Sequence, residues 1–217
     1  MPSTVPSAET RWEPLAAKAV ADLLAASPVR WWLSGGAALD HWLGQPIRDR
    51  SNTDVSVVFS DLPQLVASLP AGFDGWTLGN EDELVPFVES RRDEEAQPVL
   101  VRDVEKNMWV LKLNVEDGAP SGWVYKRDPR LQLPWDRAVI DVGGVPTGAP
   151  EVQLVWKALR PRPEDDLDKD AVLPKLSKEA HAWYERCILT IHPHSSWSIH
   201  VRSPSSPAKA SWSRKRS

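Results

Sequence analysis

A single cysteine, Cys187, stands among 217 residues. It excludes an intramolecular disulfide framework and a zinc cluster built on cysteines. No apolar run approaches the roughly 18 residues that a membrane span requires. Residues 1–10 have neither the basic start nor the apolar stretch of a secretory signal. A reducing, cytoplasmic setting without a membrane partner is therefore expected. Phenylalanine and tyrosine are scarce, three and two residues, but tryptophan is abundant at twelve. That bias reads as core filling and a Trp-rich lining. Twenty prolines predict short elements broken by turns.

Four regions are expected: a flexible arm over 1–9, a main domain over 10–145, a helical unit over 146–197 and a disordered tail over 198–217. The tail carries five basic residues and no acids, leaving about −9 on the rest of the chain. Contact with nucleic acid is not expected from a tail lacking aromatic residues around its charges beyond Trp212. Thr10-Arg11-Trp12-Glu13 has the form of a capping box, and apolar residues from Trp12 to Leu24 follow at helical spacing. A strand over 29–33, a Ser34-Gly35-Gly36 turn and a helix over 37–43 come next, stopped by Gly44. Thr53 to Phe59 reads as a strand and 61–69 as a short helix. Further strands are expected at 75–78, 98–104 and 108–115, with a hairpin turn over 117–122. Residues 80–97 read as acidic loop with some helix. Pro150 suits a first helical position, and helices are predicted over 150–159, 167–173 and 177–188. Cys187 lies on the apolar stripe of the last one. His192 and His194 read as surface-loop residues, and the acidic run Glu164–Asp168 as a helix N-terminus.

The stretch from Trp31 to Phe59 carries the chemistry. A glycine pair between strand and helix exposes backbone N–H groups at a helix N-terminus, where anions are favoured. Asn52 and Asp54, two residues apart, project from one face of the following strand while Val55 and Val57 point inward. Carboxylates at that spacing hold Mg²⁺ against phosphate oxygens. Here one of the two positions is an amide.

Gly35-Gly36, Arg48 and Asn52-Thr53-Asp54-Val55-Ser56-Val57 together resemble the signature of polymerase-β-like nucleotidyltransferases. The small-molecule branch, with aminoglycoside 2″-adenylyltransferases and lincosamide nucleotidyltransferases, is the part resembled. Residues 122–130, 149–158 and the stretch ending in His192-Pro193-His194 are similar to blocks of uncharacterised relatives. The resemblance spans about 12–197. It implies an α+β fold: a nucleotidyltransferase-like mixed sheet with flanking helices and a small helical C-terminal unit. It also implies transfer of a nucleoside monophosphate from ATP or another nucleoside triphosphate to a hydroxyl of a small, aminoglycoside-like acceptor, with Mg²⁺ as cofactor.

In that family two metal-binding carboxylates fall at the positions of Asn52 and Asp54, and a third acid falls at Lys112. Lys112 shares its polar face with Asn114, opposite Trp109, Leu111 and Leu113. Asp54 is then the catalytic residue, and Asp54 with Asn52 forms the metal position. Gly35, Gly36, Arg48, Arg50 and Lys157 are the nucleotide-binding residues, the glycines cradling phosphates and the cations neutralising them. Glu116 or Asp117 is a replacement acid if the register differs. The amide and the ammonium leave a Mg²⁺ site poorly compensated. The alternative is a catalytically degenerate module that binds nucleotide or a partner without turnover, Lys112 pairing with Asp54 across the former metal site. The oligomeric state stays open.

Overall fold

The computed structural model describes residues 5–6, 10–79, 83–87 and 98–202. Pro14 decides how the chain begins. A residue before proline is pushed out of the helical region, and residues 11–15 run extended, Glu13 and Leu15 donating to the carbonyls of Trp109 and Val110 at 2.9 and 3.2 Å. The expected capping box therefore does not form, and helix α1 is confined to Ala17–Leu23.

Strand β1 (Trp31–Ser34) leads through Gly35 into α2 (Gly35–Leu43), which Gly44 ends in the left-handed conformation at φ 72°. Strand β2 (Asp54–Val58), a 3₁₀ turn and α3 (Leu62–Ala67) follow. Strands β3 (Phe73–Leu78), β4 (Leu84–Pro86), β5 (Val99–Asp103) and β6 (Met108–Ala119) come next. Most of 80–97, including the helix expected there, lies outside the described residues. Strand β6 is longer than predicted and leaves a tight turn before β7 (Gly122–Val124). Strand β4 falls where loop or helix was expected, and four later elements were not expected at all: β8 (Gln132–Pro134), α4 (Trp135–Ala138), β9 (Val139–Val142) and β10 (Val145–Gly148).

The fold is α+β, a mixed sheet flanked by helices. Its order is β4-β3-β5-β6-β2-β1-β10-β9, with β7 on the extension of β6 and β8 on β7. β2 lies parallel to β6, and β1 parallel to β10. Because β10 completes the sheet, the helical unit begins at α5 (Pro150–Ala158) and continues through α6 (Pro163–Val172), α7 (Lys178–Ile191) and α8 (Ser196–Arg202). Helix α8 extends past residue 197, where the tail was expected to start. Trp197 is buried and the Ser198 hydroxyl donates to the Ser195 carbonyl at 2.7 Å. The rest of the tail lies outside the described residues.

Alternation along the strands separates two cores. Trp31, Leu33, Val55, Val57, Leu111 and Leu113 pack with α1 and α3 on one side. Trp32 joins Trp123, Tyr125, Val152, Val155, Tyr184 and Ile188 on the other, under α5 and α7. Cys187 is buried in this second core, and burial pushes its thiol up to about 12, which keeps it protonated and inert. His192 is buried too, not on the surface, with Nε2 3.0 Å from the Tyr125 hydroxyl.

Candidate functional site

On the α5 side of the sheet the register sets Ser34 beside Asp54 across β1–β2, and Ser56 beside Asn114 and Val58 beside Glu116 across β2–β6. Ser34, Gly35, Asp54, Ser56, Asn114 and Glu116 thus line one end of a cavity of about 430 Å³. Its other lining residues include Gln153, Trp156 and five cations: Lys126, Arg127, Lys157, Arg160 and Arg162.

Gly35 is required here on two grounds. Its φ is +59°, and a Cβ would stand 2.9 Å from Asp54 Oδ2. Its N–H donates to Gln153 Oε1 at 2.8 Å, so α5 occupies the amide expected to meet phosphate. Gln153 Nε2 has no hydrogen-bond partner among the described residues. Gly36 serves a different purpose: a Cβ there would lie 2.4 Å from Arg50 Nη1.

The charges predicted to grip phosphate are divided by the fold. Arg48 and Arg50 are absent from the cavity lining. Arg50 holds Asp40 through Nε and Nη2 at 2.8 and 2.6 Å and Asp168 through Nη1 and Nη2 at 3.0 and 2.8 Å. Arg48 adds 3.2 and 3.1 Å bonds to Asp168, whose side chain is fully buried. Burial alone would lower the Arg50 pKa and raise that of Asp168. Hydrogen bonds to Asp40 and Asp168 outweigh it for Arg50, and bonds from Arg50, Arg48 and Lys157 outweigh it for Asp168, raising the first and lowering the second. Two arginines read as nucleotide ligands are therefore a clamp between α2, the loop before β2 and α6. Lys157 does line the cavity, with Nζ 2.7 Å from Asp165 and 3.0 Å from Asp168.

The carboxylate positions also differ from expectation. Asn52 precedes β2, lies outside the lining, and has its Nδ2 buried without a partner. The two-apart pair on the cavity side is Asp54 and Ser56. Lys112 is aligned with Asp54 in the strand register but is absent from the lining and forms no ion pair among the described residues. Asn114 takes that place, its Nδ2 donating to Asp54 Oδ1 at 2.9 Å. The cavity-facing residues are thus Ser56 and Asn114, two positions on from Asp54 and Lys112. A slip of two preserves the face in a pleated strand, so alternation in the sequence could not reveal it.

Glu116, the suggested replacement acid, lines the cavity but is only 4% exposed. Its Oε2 accepts from the indole N–H groups of Trp123 and Trp156, the latter at 3.2 Å. Ser56 and Trp32 stand close enough to favour its charged form as well. Burial raises its pKa, and these donors oppose the rise. Two indoles engage one of its oxygens and the side chain is shut away from solvent, so Glu116 is poorly placed to take a hydrated metal. Asp117 is outside the lining.

Mg²⁺ requires a near-octahedral set of oxygens, usually anchored on carboxylates. The cavity offers Asp54 with one oxygen already bonded, a hydroxyl and an amide, amid five cations. No group of three or more His, Cys, Asp or Glu side chains is placed to share a metal among the described residues. The residues present do not fit the implied Mg²⁺ site. What the arrangement can do is take a multiply charged anion against Lys126, Arg127, Lys157, Arg160 and Arg162.

No protein-family model matches the chain, and no curated protein matches it. Among solved structures it is similar to ANT(2″)-Ia in complex with adenylyl-2″-tobramycin, at 14% identity and a TM-score of 0.44 over 87% of this chain and 95% of that one. It is also similar to an antigenic nucleotidyltransferase-like protein from Paracoccidioides brasiliensis, at 16% identity and a TM-score of 0.42 over 85% of this chain and 90% of that one. These are likenesses in the course of the chain. No helix among the described residues is long and apolar enough to cross a membrane.

Proposed function

We propose that this chain is a nucleotidyltransferase-like module that binds the polyphosphate of a nucleoside triphosphate in the Asp54 cavity without turning it over. The carrying observation is the composition of that cavity: five cations stand around a sheet face where Asp54 is joined by Ser56 and Asn114. The sequence resemblance supplies the ligand class, and the cations supply the complementary charge. The transfer reading, with Asp54 as catalytic residue and Mg²⁺ as cofactor, needs carboxylates that the cavity does not present. Asn114 and Ser56 stand on the face where they would have to be.

The test is thermal unfolding of the full chain with ATP, GTP and adenosine, paired with a pyrophosphate-release assay. The assay contains Mg²⁺ and a panel of aminoglycosides. Stabilisation by a triphosphate and not by adenosine, with release at the blank, is expected. No response to any nucleoside triphosphate overturns the binding. Release above the blank overturns the absence of turnover.

A further inference from the structure

We infer that the cavity takes its polyphosphate as the metal-free anion, the protein's own cations standing where a divalent ion would otherwise neutralise the ligand. This rests on the polyphosphate-binding function proposed for the same cavity and goes beyond it by fixing the ionic form of the ligand.

The charges on the cavity wall carry the argument. Lys157 lies in the last turn of α5, Arg160 and Arg162 lie on the turn from α5 to α6, and Lys126 and Arg127 follow β7. Against these five stand three lining acids, Asp54, Asp165 and Glu116, while Asp168 behind the wall also pairs with Lys157 at 3.0 Å. Glu116 is buried with Oε2 held by two indoles. Asp165 is 3% exposed and is held by Lys157 at 2.7 Å and Arg162 at 3.0 Å. Asp54 accepts from Asn114. A divalent cation entering here meets an excess of positive charge and one carboxylate, Asp54, that is neither buried nor ion-paired among the described residues. Arg127 and Arg160 are exposed and form no ion pair among the described residues. They can therefore turn to a phosphate without breaking an internal bond, and guanidinium groups bind phosphate oxygens in pairs. Mg²⁺ already on the ligand would cancel the charge these groups recognise.

The experiment is calorimetric titration of the full chain with ATP and with inorganic tripolyphosphate, each in EDTA and in excess MgCl₂. Binding of both ligands in EDTA, as tight as or tighter than in MgCl₂, is expected. Arg160→Ala should weaken the EDTA affinity for both by about tenfold, one lost charge-assisted contact. Arg127→Ala repeats the test on the other segment, and Arg130→Ala, outside the cavity, is the unchanged control. Binding that needs or is tightened by Mg²⁺ overturns the metal-free inference and leaves the binding function standing. So does ATP binding in EDTA without tripolyphosphate binding, or wild-type affinity in both cavity variants. Failure of both ligands under both conditions overturns the binding function itself.

Discussion

At the scale of single residues, Glu116 explains part of the tryptophan excess. Two of the twelve indoles, Trp123 and Trp156, come from β7 and α5 to donate N–H groups to one buried carboxylate. Phenylalanine would fill the same space without a donor, and a buried anion without donors is costly. Tryptophan as core and lining accounts for the burial and not for the hydrogen bonding. Nothing local to Val115-Glu116-Asp117 points to an indole at position 156. Glu116→Gln tests the charge state. Glutamine keeps the shape but replaces one acceptor oxygen by an NH₂ facing other donors. We expect a loss of about 2–4 kcal/mol of stability, measured by urea unfolding at pH 7. An unchanged or more stable variant would show that Glu116 carries a proton in the folded protein.

At the scale of elements, the strand–glycine–helix unit was legible because its signals are local: an apolar run, two glycines, then helical spacing ended by Gly44. Asp54 and Gly35 were brought together as that unit implied, with the Gly35 Cβ position 2.9 Å from Asp54 Oδ2. The roles of Arg48 and Arg50 were not legible, since Asp168 lies 120 and 118 residues further along. An arginine loop followed much later by an acidic helix start reads equally well as two solvated features. Gly36 belongs to this clamp, because any side chain there collides with the Arg50 guanidinium. The coupling is measurable. Arg50→Lys keeps the charge but cannot hold two carboxylates through a planar fork, with an expected loss of about 2–4 kcal/mol. Gly36→Ala should cost a similar amount alone and markedly less in the Arg50→Lys background, because lysine can move aside. Simple additivity in urea unfolding of the four proteins would refute the contact between the two positions.

At the scale of the whole molecule, the class of fold was legible while its completion was not. Strands β8, β9 and β10 are three or four residues long and contain or adjoin Pro134, Gly143, Gly144 and Pro146. They hold together through pairing with β7, with each other and with β1, which no local pattern announces. The same long-range logic joins the helical unit to the loop before β2 through Asp168, with Asp165 fixing α6 against α5, and it sets an acid limit. For both carboxylates burial opposes ionisation, but hydrogen bonds from Arg162 and Lys157 to Asp165, and from Arg50, Arg48 and Lys157 to Asp168, win and lower the pKa below 3.8. A lowered carboxylate contributes stability that is complete above its unfolded value and is lost as pH falls toward the folded one. Two such groups give a slope of about 2.7 kcal/mol per pH unit below pH 3.8. Glu116 acts with the opposite sign: burial raises its pKa from 4.5, so its contribution is greatest in acid and declines as pH rises through the folded value. It therefore adds nothing to the acid loss. Helix α6, which carries both aspartates, should lose amide-exchange protection progressively as pH falls below 3.8, most of it below about pH 3, while β1, β2 and β6 keep theirs longer. Unchanged protection of α6 at about pH 2, or simultaneous loss across the sheet above about pH 4.5, would show that these ion pairs do not hold α6 in place.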